Sequence, residues 1–171
     1  MIRQLGAHIG KRVYFGYDRY VVAELPAYRE QLRGFGDLLE LVELERLHYL
    51  TSAELTCRAL QVDEGAFGIL CCGTGMGMSI AANKFSGIYA ARCMTLEDAE
   101  LARTINNANV LCIAANRGFE YNRAIIDAFA RTPDTGSKLD ELEYITEFES
   151  APAALSTPVP ATPARVLRRT A

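Results

Sequence analysis

Phe67-Gly68-Ile69-Leu70-Cys71-Cys72-Gly73-Thr74-Gly75-Met76-Gly77-Met78-Ser79 is the stretch from which the architecture can be read. Its first half, Phe67 to Cys72, is a short continuous apolar run. Such a run suits a strand buried on both faces, as in a parallel sheet covered by helices. It leads straight into three glycines at alternate positions, Gly73, Gly75 and Gly77. The segment Met78 to Lys84 then reads as a helix. Strand, glycine-rich turn and helix together form the repeating unit of an α/β protein.

The neighbouring segments repeat this alternation. Arg12 to Tyr17, Leu38 to Leu44, Tyr89 to Cys93 and Val110 to Ala115 read as four further strands. Glu24 to Phe35 reads as a helix entered near Pro26 and closed by Gly34 and Gly36. Ser52 to Val62 is a helix with Ser52 as its N-cap. Leu96 to Ile105 is helical behind the cap Thr95, with Glu97, Asp98 and Glu100 complementing its dipole. Tyr121 to Ala130 and Leu139 to Phe148 are the last two helices. The fold class is therefore α/β: a three-layer sandwich with a mostly parallel five-stranded sheet and helices on both faces. Ligands of such sheets sit beyond the carboxyl ends of the strands. There is no internal repeat.

Composition bounds the function. The chain has 171 residues, half of them apolar, with 18 basic and 21 acidic side chains and a net charge of −3. This excludes a strongly basic nucleic-acid binder. No apolar run approaches the roughly 20 residues that span a bilayer, and the first residues lack a signal peptide's apolar core. A soluble, cytoplasmic protein with no membrane partner is expected. The organisation reads as one domain over residues 1–150 and a flexible Ala/Pro-rich tail over 151–171, which holds four of the six prolines. Without the tail, 15 basic residues face 21 acidic ones, a net −6. The five cysteines, Cys57, Cys71, Cys72, Cys93 and Cys112, are an odd count with no disulfide pattern. Neither histidine, His8 nor His48, stands at a ligand spacing from a cysteine, so no metal is expected.

The loop after Cys72 is the feature that bears chemistry. Alternate glycines expose consecutive backbone N–H groups at a strand end, and the helix behind them adds partial positive charge. A phosphate, a carboxylate or an enolate oxygen suits that place. Glycines also serve tight turns and close packing, so the pattern alone does not choose. It is not a P-loop, because no Gly-Lys-Ser/Thr follows. The next strand ends at Arg92-Cys93 with no acid, which argues against a nicotinamide cofactor, and no other cofactor is implied. Cys71 is expected to point into a core. On spacing alone, Cys72 reads equally as a structural thiol or as a reactive one beside the amides.

The run Gly68 to Lys84, with Gly87-Ile88-Tyr89-Ala90-Ala91 and Asn106-Asn107-Ala108-Asn109-Val110-Leu111, resembles the signature of the ribose-5-phosphate isomerase B / galactose-6-phosphate isomerase family. The likeness covers roughly residues 12–148 and is strongest over 67–111. It implies a flavodoxin-like, Rossmann-like sandwich. It implies a homodimer or tetramer with active sites at the subunit interface. It also implies metal-independent interconversion of aldose and ketose sugar phosphates through a cis-enediolate. By this resemblance Cys72 moves the proton between C1 and C2, and Thr74 is the second catalytic residue, close to the substrate. The amides of Gly73, Gly75, Met76 and Gly77 hold the oxyanion, while the side chains of Met76 and Met78 are expected to pack beneath the loop. Asp18 contacts sugar hydroxyls, Tyr49 faces the substrate and Asn106 hydrogen-bonds it.

This chain departs from the family pattern at defined places. Arg19 follows Asp18 where the family has histidine. Ile105 precedes Asn106 where the family has the histidine that acts in ring opening, and an isoleucine donates no proton. The arginine expected after the Asn-Val-Leu strand falls at Ala115 or Asn116, with Arg117 displaced. The C-terminal arginine clamp is missing, which leaves Lys138 as the nearby cation. Arg117 and Lys138 are thus the candidate phosphate contacts, though a lysine does not replace a bidentate arginine. Three readings account for the losses: a short, acyclic substrate such as a tetrulose phosphate; one subunit of a two-subunit galactose-6-phosphate isomerase, with a paralogous partner; or a non-catalytic binding paralogue. His48, beside Tyr49, is either a surface residue or a proton donor where Ile105 fails.

Overall fold

The computed structural model describes residues 6–150. The expected tail, 151–171, lies outside the described residues. Five strands, β1 (Val13–Tyr17), β2 (Leu38–Glu40), β3 (Phe67–Cys72), β4 (Ala90–Arg92) and β5 (Val110–Ala114), form one sheet. Every pairing is parallel and the order is β2-β1-β3-β5-β4. The α/β sandwich expected from the sequence is the one observed. Its last two strands are exchanged relative to the flavodoxin order 2-1-3-4-5.

Six α-helices cover the sheet: α1 (Leu25–Arg33), α2 (Tyr49–Val62), α3 (Met76–Ala82), α4 (Leu96–Thr104), α5 (Phe119–Arg131) and α6 (Leu139–Glu147). Side chains alternate between the two faces of each strand. Val13, Phe15, Ile69, Cys71, Leu111 and Ile113 therefore pack under α1, α4 and α5. Tyr14, Leu70, Cys72, Val110 and Cys112 pack under α2 and α3. The central strands β1, β3 and β5 are buried along their whole length, which is why their sequences are continuous apolar runs. α6 lies outside β4, where the Tyr89 and Thr146 hydroxyls meet.

Several boundaries differ from the sequence reading, each for a local reason. Residues Arg19–Glu24 form a 3-10 helix capped by Asp18, so α1 starts only at Leu25. β2 stops at Glu40, whose carboxylate is held by Arg29 and Tyr17. α2 begins at Tyr49 and not at Ser52, because His48 supplies the cap and Ser52 is buried, its hydroxyl donating to the Tyr17 carbonyl (2.8 Å). α3 begins at Met76. Helical spacing then turns Met76 and Ile80 outward and Met78 and Ala82 inward. Met76 is 54% exposed and does not pack beneath the loop, whereas Met78 is buried as expected. The α4 cap is as expected: Thr95 and Asp98 form a capping box.

Candidate active site

Strand β2 lies on one side of β1 and β3 on the other, so the chain reverses its winding between β1 and β3. A crevice opens outside the carboxyl ends of strands at such a switch point. Here the residues that follow those two ends are Asp18 and the 73–77 loop.

Asp18 is buried. Its carboxylate accepts from the Tyr20 amide (2.9 Å) and from the amide of Gly73. Its own amide donates to the Cys71 carbonyl. Burial raises the carboxyl pKa, against the pull of the two amides. The carboxylate and the loop thus form one rigid unit.

Cys72 is 5% exposed and lies on the α2/α3 face, while Cys71 points to the opposite core toward the Tyr28 hydroxyl. Burial pushes the Cys71 and Cys112 thiols well up and those of Cys57 and Cys93 to about 12. Such thiols are inert packing groups.

The loop turns on Gly75, at φ +73°, where a Cβ would stand 3.0 Å from the Ile113 carbonyl carbon. It is pinned on its outer side. The Asn116 amide donates to the Gly73 carbonyl (3.1 Å), and Arg92 Nε donates to the Thr74 carbonyl (2.8 Å). Thr74 Oγ1 accepts from the Met76 amide (3.3 Å). Two of the four amides expected to hold an anion, those of Gly73 and Met76, therefore have protein acceptors. The other two, those of Gly75 and Gly77, have none among the described residues, and neither has the amide of Thr74. Asn116 also lies against Gly73 with its side chain.

α2 closes the crevice. At Gly16 a Cβ would stand 2.6 Å from Thr56 Oγ1 and 2.9 Å from the Ser52 carbonyl oxygen, so glycine lets the helix settle directly on β1. This brings the first turn of α2 to the end of β1. The Tyr49 ring then covers Gly77, where a Cβ would be 2.6 Å from Cε2. His48 caps the helix, its Nδ1 accepting from the Leu50 amide (3.3 Å), and its ring packs on Tyr49.

Cys72, Gly73, Thr74, Gly75, Met76, Gly77, Asp18 and Tyr49 thus share one end of the sheet. Arg117 is at that end too, but its guanidinium lies over the Tyr121 ring, 4.8 Å from the centroid. Asn106 and Lys138 are not there. α4 and α5 each run from the carboxyl end back to the amino end, so Asn106, after α4, and Lys138, after α5, sit at the opposite end. Thr135 ties these two segments together through the Thr104 carbonyl, and Lys138 pairs with Glu141. Ile105 and Asn106 are exposed. Sequence reasoning did not find Arg92 as a loop contact. Its signal was a lone charge closing an apolar edge strand. Among the described residues no cluster of His, Cys, Asp or Glu is placed to hold a metal ion, and no helix is long and apolar enough to cross a membrane.

Residues 18–144 match the family model described as Ribose/Galactose Isomerase. The chain belongs to that family. It is 39% identical to ribose-5-phosphate isomerase B of Escherichia coli over 104 residues, 60% of this chain and 68% of that protein. It is 42% identical to D-erythrulose-4-phosphate isomerase of Pectobacterium atrosepticum over 84 residues, 48% of this chain and 55% of that protein. Against other curated relatives the matched stretch spans as little as 22% of the relative's length. The structure of type B ribose 5-phosphate isomerase from Leishmania infantum superposes with a TM-score of 0.75 at 36% identity, covering 82% of this chain and 97% of that one.

Proposed function

We propose that the protein is an aldose–ketose isomerase of sugar phosphates that uses Cys72 as its base and needs no metal. The observation that carries this reading is the junction of β3 and its loop. There, Cys72 leads directly into a loop whose Thr74, Gly75 and Gly77 amides have no acceptor among the described residues and whose Gly73 amide is held by the buried Asp18 carboxylate. Abstracting a proton next to a carbonyl creates negative charge on oxygen, and preorganised donors at that oxygen are the largest help a protein gives. In the proposed step Cys72 takes the carbon-bound proton, the amides of Thr74, Gly75 and Gly77 hold the enediolate, and the thiol returns the proton to the adjacent carbon. Asp18 accepts from a sugar hydroxyl, and Tyr49 walls the crevice.

Asn106 and Lys138 join this site only from a second copy of the chain, because their own copy holds them at the far end of the sheet. A homodimer, or a tetramer built of such dimers, completes the site with Lys138 as the cation for the phosphate. A second reading concerns the substrate's length. Ile105 stands where a ring-opening acid is expected, and one similar protein is named for a four-carbon ketose phosphate. Both favour a short, acyclic substrate. The test is interconversion by the purified protein across four-, five- and six-carbon aldose phosphates. Turnover confined to the four-carbon pair is expected. Turnover of ribose 5-phosphate at comparable kcat/KM overturns the acyclic reading, and silence on all of them overturns the isomerase.

A further inference from the structure

We infer that His48 is a catalytic residue of this chain, a neutral imidazole whose Nε2–H donates to the substrate's reacting carbonyl oxygen. The inference rests on the isomerase reading above and concerns the same crevice. Three observations carry it.

The first is the tautomer. His48 Nδ1 accepts the Leu50 amide as the N-cap of α2, a 14-residue helix. A nitrogen that accepts carries no proton, so the ring hydrogen is on Nε2. Nε2 hydrogen-bonds no protein atom among the described residues.

The second is the place. Gly16 and the Ser52–Tyr17 hydrogen bond seat the first turn of α2 on the end of β1, where Asp18 begins. The imidazole stands close enough to Asp18 for a positive charge on the ring to be felt there, though as the weakest influence on that carboxyl. Its ring packs on Tyr49 at 4.8 Å, and Tyr49 lies on Gly77 of the loop. The groups around it are thus Asp18, just beyond β1, Tyr49, on its own helix, and, through Tyr49, the 73–77 loop. The ring is half-buried and held by its cap bond and by Tyr49.

The third is a chemical need. The enediolate has two oxygens, and Ile105 brings no donor to either. A neutral imidazole held at a helix N-terminus is an established electrophile for the carbonyl oxygen in this type of reaction.

The step balances without proton transfer from His48. The C2–H bond breaks as Cys72 thiolate takes the proton, its electron pair forms the C1=C2 bond, and the carbonyl pair moves onto O1 under the Nε2–H. The O2 proton passes to O1. The C2=O2 bond then forms as the thiol proton goes to C1. His48 remains neutral throughout.

His48→Asn tests this, since asparagine keeps an N-cap acceptor for Leu50 but is too short to reach the oxygen. The full chain and the variant are compared on the sugar phosphate that the wild type turns over best, together with their melting temperatures. The expected result is a fall in kcat of about 100-fold or more, the scale of losing one oxyanion donor, with KM within about threefold and an unchanged melting temperature. A kcat within about threefold of wild type overturns the inference, as does a change confined to KM. A wild type inert on every sugar phosphate overturns the isomerase reading and this inference with it, an outcome distinct from an active wild type with an equally active variant.

Discussion

Cys71 and Cys72 are adjacent in the chain, yet the pleat sends one thiol into the α1/α5 core and the other to the α2/α3 face, where it is 5% exposed. That division follows from the two-residue period of a strand and was legible in the sequence. Gly75 was legible only as part of a pattern; its positive φ and its contact with Ile113 show why alanine fails there. Gly75→Ala should lose about 1–2 kcal/mol of stability from the backbone alone and most of the turnover, measured by chemical denaturation and initial rates. His8 was read only as a poor metal ligand. It is fully buried, stacked 4.3 Å from Phe67, beside Arg103 and the Ala108 backbone. Burial first, then the positive charges of Arg103 and Lys11, lower its pKa from 6.5 to about 2. The unfolded chain therefore binds the proton that the folded chain refuses. Stability is full above the unfolded value and falls as pH drops below it, by at most about 1.4 kcal/mol per pH unit. His8→Phe keeps the aromatic stack and should flatten that acid limb when melting temperature is followed between about pH 4 and pH 7.

At the scale of elements, the central strands announced themselves because both of their faces are covered. Helix starts were less legible, since a cap is a contact and not a composition. Serine's aptitude as a cap points to Ser52 at the start of α2, but tertiary burial claims its hydroxyl and His48 takes the place. α5 has a partner no local rule could find: the Glu24 carboxylate, 95 residues earlier, accepts from the Phe119 amide. Gly16 is the element-scale hinge of the site. Gly16→Ala should force α2 off β1 and carry Tyr49 and His48 with it. Melting temperature and kcat should fall together, with the secondary-structure signal in circular dichroism preserved. Thr95→Ala should instead cost about 1 kcal/mol of stability through the lost cap and leave kcat unchanged.

For the whole molecule, the α/β class and the parallel sheet followed from alternating elements, but the order β2-β1-β3-β5-β4 did not. That order, with the direction of α4 and α5, puts Asn106 and Lys138 far from the crevice of their own chain. A motif read along the sequence names candidates for a site and not which copy would supply them. If two copies share each site, Cys72→Ala and Asn106→Ala proteins, each weak alone, should regain about a quarter of wild-type activity when mixed and allowed to exchange subunits, because half the dimers are mixed and each of these has one intact site. No recovery on mixing would place Asn106 outside the site. The account stands on Cys72 as the proton carrier, and the most direct measurement is kcat of Cys72→Ala on the sugar phosphate the wild type isomerises. A loss of about 10²–10⁴-fold with the fold intact is predicted, and turnover within a few-fold of wild type would contradict it.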